Sequence, residues 1–283
     1  LLYIGTVGIT IEFLVNGERS MSIPKCIHYC WFGNNPKPQS MLKCIASWKK
    51  FCPTYEIIEW NEENFDIDKC PLYVRQAYEE KKWAFVTDYA RLKIVYENGG
   101  IYLDTDVELK KNLDKLLKNV AFFCFEDGLH INTGLGFGAV RECKILKELM
   151  DDYKEIPFIL EDGSYDAETC PSRNTKVFLK HGLQQNDKIQ ILENGIKILP
   201  SIYMCPIDYN TGKYRHSLKT ISIHWFSSSW MDENQKKEQE KRKKIRKENE
   251  RRDFWLHLPN RLAMQLLGKE KYEKWKNFIK GMK

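Results

Sequence analysis

The hydrophobic and polar positions of this chain change period several times, and each change marks an element. Residues 23–32 are β-rich and stop at Gly33-Asn34-Asn35-Pro36, which predicts a strand followed by a turn. Over 40–51 the apolar residues Met41, Leu42, Ile45 and Trp48 recur at helical spacing, and Pro53 closes the run. Residues 55–60 read as a short strand. Two helices are expected over 71–82 and 83–98, the second ended by Gly99-Gly100. Short strands follow at 101–103, 107–109, 120–125 and 131–140, then helices at 142–153 and 166–181. A β-hairpin over 188–199 turns at Asn194-Gly195, and 221–223 is a last strand. Strands that alternate with helices predict an open α/β sheet of the nucleotide-binding kind.

The pattern changes again past residue 230. Residues 232–252 are almost wholly charged, and 254–283 return to an amphipathic helical period. This divides the chain into an α/β domain at 21–230 and a basic helical tail at 231–283. Residues 1–20 lack the basic start and small-residue cleavage site of a signal peptide. Because Met21 opens the run MSIPKCIHYCWFG, residues 1–20 are read as an N-terminal extension, either foreign to the native chain or an added hairpin.

Charge sharpens this division. The net charge is +6, but the tail holds 17 Lys+Arg against 9 Asp+Glu, leaving 28 against 30 in the body. A near-neutral body is unlike the basic groove of a nucleic-acid enzyme, so no nucleic-acid partner is expected. In the tail, Tyr272, Trp275 and Ile279 form a stripe among lysines, which suits peripheral contact with an anionic membrane. Packing of the stripe on the catalytic domain or a second subunit is the equal alternative. No apolar run is long enough to span a bilayer. The nine cysteines are odd in number, form no C-x-x-C pair and sit mostly in apolar stretches. They read as reduced core thiols of a cytoplasmic protein.

The chemistry centres on GGIYLDTDVEL, residues 99–109. In an extended segment, side chains at i and i+2 face the same way. Asp104 and Asp106 can therefore converge on one cation at a strand's carboxyl end, where open α/β sheets bind ligands. A divalent ion held there would neutralise a nucleotide diphosphate leaving group. Upstream, Asp88 and Arg91 lie three apart on one helix face. They fit either an N-capping Thr87 or Asp88 with a local ion pair, or a pair facing a sugar and phosphate. Trp31 ends the first strand and His224 the last. His28 reads as a structural strand histidine.

The run VTDYARLKIVYENGGIYLDTDVEL resembles the signature of glycosyltransferase family 32, the DXD-containing sugar transferases. That group includes capsular and lipopolysaccharide sugar transferases and initiating mannosyltransferases, and is related to the clostridial glucosylating toxins. IPKCIHYCWFG resembles its first strand and SIHWFSSSW its closing motif, so the likeness spans roughly 21–230. The resemblance implies a GT-A fold, a nucleotide-sugar donor, Mn²⁺ or Mg²⁺, and retention of anomeric configuration. It places Trp31 against the nucleobase and Asp88 and Arg91 at the donor sugar. Asp104 and Asp106 fall at metal, ribose and diphosphate, with Asp106 the direct ligand. His224, Ser229 and Trp230 would close over the diphosphate, His224 near the metal; Trp225 and Ser228 stand where the family often has His or Gly. Asn132, in HINTG, resembles the family's loop asparagine, facing donor sugar or acceptor, although a plain turn role fits it equally.

The expected function is thus transfer of a hexose, from a UDP-sugar, to a glycan or lipid-linked acceptor in capsular or surface polysaccharide synthesis. Two other readings stay open. The strand with D-x-D-x-V also resembles a haloacid-dehalogenase-type phosphatase with Asp104 as nucleophile, although the motif lies far from the domain start. A nucleotide-sugar-binding protein without turnover is the other.

Overall fold

The computed structural model describes residues 22–166, 168–215 and 217–227, with Lys237, Lys241, Lys244 and Glu248 as isolated helical positions. The expectations for residues 1–20, for Ser228, Ser229 and Trp230, and for the rest of the tail lie outside the described residues.

The elements come in the order β1 (Cys26–Cys30), α1 (Gln39–Phe51), β2 (Glu56–Trp60), α2 (Leu72–Glu79), α3 (Trp83–Asn98), β3 (Gly100–Tyr102) and β4 (Val107–Leu109). There follow β5 (Ala121–Cys124), β6 (Phe137–Ala139), α4 (Lys144–Asp151), α5 (Cys170–Lys180), β7 (Gln190–Leu192), β8 (Ile196–Leu199), α6 (Ser201–Met204) and β9 (Ser222–His224). A mixed sheet of order β2-β1-β3-β6-β5-β8-β7 forms the centre, and β4 pairs with β9 in a separate ribbon. This is the α/β class expected from the alternation of strands and helices. The described residues 22–206 and 217–225 form one compact unit holding both sheets, and 207–215 with Phe226 and Ser227 belong to another.

Strand direction decides where the chemistry gathers. β1 runs parallel to β2 and β3. β6 is antiparallel to both β3 and β5, so β5 runs with β1 and β3. The carboxyl ends of β1, β3 and β5 therefore share one edge, and Trp31, Asp104 and Glu126 all lie just beyond those ends.

Aromatic packing fixes this edge. Phe123 of β5 stacks on Phe137 of β6 with centroids 5.4 Å apart, and meets Phe178 of α5 edge-on at 4.7 Å. Trp48, fully buried on α1, donates its indole N–H to the Val107 carbonyl at 2.7 Å, and Ser47 Oγ accepts from the Leu109 amide. Both bonds tie the start of β4, just past the D-x-D, to α1.

The expected hairpin forms, with Asn194 and Gly195 at φ of 60° and 76°. Two expectations need correction. Residues 131–140 are not one strand: Asn132 caps a 3-10 turn at Thr133–Leu135, and only Phe137–Ala139 pairs. Thr87 and Asp88 cap nothing, because α3 already starts at Trp83; Thr87 Oγ1 instead bonds back to the Trp83 carbonyl. His28 is structural as read, with Nε2 on the Gly99 carbonyl at 2.9 Å and Nδ1 accepting from Trp60 at 3.1 Å. All nine cysteines are free thiols and eight are buried. Burial pushes Cys44 and Cys70 up to about 12, so these thiols are inert at neutral pH. No helix among the described residues is long and apolar enough to cross a membrane.

Candidate active site

The D-x-D carboxylates converge, but not along an extended strand. The Val107 amide donates to the Asp104 carbonyl at 3.0 Å, closing a turn over Thr105 and Asp106 before β4 begins. The turn folds Asp106 back toward Asp104. The β4–β9 register then sets Val107 opposite His224, and the Trp225 amide bonds the Asp106 carbonyl at 3.1 Å. As a result His224 Nε2 lies 3.1 Å from Asp106 Oδ1. One ligand atom from each of Asp104, Asp106 and His224 falls within 4.8 Å of the others. Two carboxylate oxygens and an imidazole nitrogen at that spacing fit a divalent cation, and the nitrogen favours Mn²⁺ over the all-oxygen preference of Mg²⁺.

Helix α3 supplies the next layer. Arg91 is only 4% exposed, which forces its charge to be matched by neighbours. Its guanidinium pairs with Asp88 one turn earlier, and Nη1 lies 3.4 Å from Asp104 Oδ2. Nε donates to the Thr87 carbonyl, and the Tyr102 ring lies 5.6 Å from the guanidinium carbon. Asp88 and Arg91 thus form the expected ion pair, and it reaches the D-x-D directly. Arg91 works mainly as the clamp that orients Asp88 and Asp104. Desolvation lifts the Asp104 carboxyl above its ordinary range; Arg91 opposes the shift and Asp106 adds to it.

The loop after β5 closes the opposite wall. Asn132 Oδ1 accepts from the Gly134 amide at 2.6 Å, and Asn132 Nδ2 donates to Glu126 Oε2 at 3.1 Å. Gly134 stands so close to the cluster that a Cβ there would lie 2.5 Å from Asp104 Oδ2 and 2.9 Å from Arg91 Nη1. The turn role of Asn132 and its place at the site are therefore one arrangement. Glu126 was not expected from the sequence. The signal was available: it ends the apolar run of β5 just as Asp104 follows that of β3. Trp31 stands at the same sheet edge, half-exposed, its amide on the Trp60 carbonyl and its indole N–H on the Asn35 carbonyl, both at 2.8 Å.

His224 gives this site a pH signature. Burial disfavours its charge, but Asp106, Asp104 and Glu126 together outweigh burial and raise it above the usual histidine value of 6.5. Its protonated form therefore stabilises the metal-free protein fully below about pH 6.5, and that stabilisation is lost as pH rises through the raised folded value. A cation needs the neutral ring, so its binding weakens as pH falls through the same window. Thermal melts from pH 6 to 8.5 should show the added melting temperature from Mn²⁺ growing with pH. His224→Ala should flatten that trend; an equal trend in the variant would rule His224 out as its source.

Comparison with known proteins agrees with this geometry. Residues 38–123 match the family described as glycosyltransferase sugar-binding region containing DXD motif. The chain is 33% identical over 107 residues to inositol phosphoceramide mannosyltransferase 3 of Schizosaccharomyces pombe, covering 36% of this chain and 30% of that protein. It is 26% identical over 132 residues to subversion of eukaryotic traffic protein A of Legionella pneumophila, covering 37% of this chain and 20% of that one. The chain thus spans less than a third of the length of these curated relatives. Among solved structures, the PaToxG glycosyltransferase aligns with a TM-score of 0.45 at 17% identity, over 56% of this chain and 70% of that one. The matched span runs through α3, β3 and the D-x-D turn, so that the residues built into the cluster are the family's own motif. Residues 38–123 are a glycosyltransferase sugar-binding region containing a DXD motif, and the chain belongs with the DXD glycosyltransferases.

Proposed function

We propose that this chain is a metal-dependent, GT-A type glycosyltransferase that moves a hexose from a UDP-sugar to a hydroxyl of a glycan or lipid-linked acceptor, with retention. The observation that carries the reading is the convergence of Asp104, Asp106 and His224 within 4.8 Å at the carboxyl edge of the sheet. The named activity of the fission-yeast relative, inositol phosphoceramide mannosyl transfer, supports a lipid-linked acceptor of the kind found in surface polysaccharide assembly.

Asp106 and His224 would hold the cation, with Asp104 between it and Arg91. When bound, Mn²⁺ supplies positive charge against the donor diphosphate. The protein's own groups do the rest. Arg91 fixes the rotamers of Asp88 and Asp104, so both carboxylates are aimed before the donor arrives. For retention, the acceptor oxygen attacks the anomeric carbon from the face that the diphosphate leaves. The carbon–oxygen bond to phosphate breaks, and the acceptor proton passes to the departing phosphate oxygen. Trp31, half-exposed at the end of β1, is the proposed nucleobase platform.

The phosphatase reading has lost its supporting acids. Asp151 is taken up by Lys147 and Lys154, and Asp152 by Arg173. Incubation with Mn²⁺ and a panel of nucleotide sugars, read by released nucleotide, tests the proposal. Release from a UDP-hexose, abolished by chelation and restored by Mn²⁺, is expected. Phosphate release from simple phosphoesters without turnover of any sugar donor would contradict it. Binding without turnover would leave only a sugar-nucleotide receptor. In the same assay Trp31→Ala should weaken UDP binding by about 1–3 kcal/mol, the range for a base on an aromatic ring. An unchanged UDP affinity in the folded variant would remove Trp31 from the nucleobase site.

A further inference from the structure

Glu126 is a carboxylate with no evident structural reason to be charged. It follows β5, its amide bonds the His130 carbonyl at 2.8 Å, and the Phe125–Ile131 bridge holds the base of the 126–130 loop. These backbone bonds shape the loop without the side chain. The carboxylate itself is turned into the site. Oε2 accepts from Asn132 Nδ2, whose Oδ1 is held by the Gly134 amide against Asp104 and Arg91. Its charge is felt by the buried His224. Among the described residues Oε1 accepts no hydrogen bond, and the side chain keeps a partly exposed face. Placing a third carboxylate near Asp104 and Asp106 costs free energy through desolvation and like charge. A neutral side chain would hold Asn132 as well at lower cost.

The geometry points to a binding role: we propose that Glu126 and Asn132 form a hydroxyl-binding pair for a sugar, on the wall facing the Asp88–Arg91 clamp. The open Oε1 accepts from a sugar hydroxyl, and the second Nδ2 hydrogen of Asn132 donates to that hydroxyl or to its ring neighbour. A carboxylate next to an amide presents an acceptor beside a donor, the complement of the adjacent hydroxyls of a hexose. This rests on the glycosyltransferase reading and adds a residue that the D-x-D motif does not include. The hydroxyl belongs either to the donor hexose or to the acceptor, and the two are separable.

The test uses the full chain with Mn²⁺, comparing wild type with Glu126→Gln, which keeps the shape, and Glu126→Ala. Four quantities are read: hydrolysis of the UDP-sugar without acceptor, transfer to a glycan acceptor, the affinity for UDP-sugar relative to UDP, and the Mn²⁺ affinity with the melting temperature. A charge-assisted hydrogen bond predicts a fall of about 10- to 100-fold in kcat/KM, larger for Ala than for Gln. Loss of hydrolysis together with the sugar's share of binding assigns the hydroxyl to the donor. Loss of transfer with hydrolysis intact assigns it to the acceptor. Both variants equal to wild type, or a loss that follows weakened Mn²⁺ binding or a lowered melting temperature, overturns the inference. Should wild type turn over no donor, the function proposed above fails. The UDP-sugar to UDP affinity ratio then still decides: a ratio unchanged by the substitutions sinks the role of Glu126.

Discussion

Asp106→Ala is expected to abolish sugar transfer while the protein stays folded. Asp106 sits in the turn that β4 and β9 hold together through backbone bonds and the Trp48 indole, none of which uses its side chain. The turn therefore survives truncation. What disappears is the carboxylate 3.1 Å from His224 Nε2, one of the three groups that converge. Loss of a cation's charge stabilisation at the leaving diphosphate is worth several kcal/mol, so kcat/KM should fall by about a thousandfold or more. Excess Mn²⁺ should recover only a small part, because Asp104 and His224 remain. A variant that retains full activity in chelator would remove the metal from the account. A variant that fails to fold would show that the turn depends on the side chain after all.

Arg91→Met should damage stability and activity together. Arg91 is nearly fully buried between Asp88 and Asp104, whose side chains are themselves only 13% and 27% exposed. Removing the guanidinium leaves two shielded carboxylates without their cation, next to Asp106. Breaking a buried pair by deleting one partner costs about 3–5 kcal/mol. For a chain of this size that is a melting temperature lower by on the order of 10 °C. Adding Asp88→Asn should return part of the stability, since it removes one stranded charge, without returning the activity. Unchanged melting in Arg91→Met would mean the clamp contributes nothing to the fold.

These two residues show where sequence reasoning reached the site and where it stopped. The i,i+3 spacing of Asp88 and Arg91 carried the ion pair correctly, because a helix fixes which side chains meet. It could not show that Arg91 also reaches Asp104, since that contact joins a helix to the following strand end. Asp104 and Asp106 were legible as a pair, but for a reason the structure replaces: a turn brings them together, not the pleat of a strand. His224 lies 118 positions after Asp106, and its approach depends on the β4–β9 register, which no local pattern encodes. Glu126 stayed hidden because an acid followed by Asp127 and Gly128 looks like any solvated turn. Only the parallel run of β1, β3 and β5 turns it toward the cluster. The length of the strand expected over 131–140 misled for a related reason. Its apolar residues continue through a 3-10 turn that is buried against the site, so burial persists where pairing does not.

The central claim is that Asp104, Asp106 and His224 form one divalent-cation site at the donor diphosphate. Crystals grown with Mn²⁺ and UDP, with anomalous scattering recorded for manganese, test it most directly. The account predicts a single strong peak about 2.0–2.4 Å from Asp106 and His224, in contact with the diphosphate oxygens. UDP bound in ordered density with no manganese between these three side chains, or manganese held elsewhere on the chain, would contradict it.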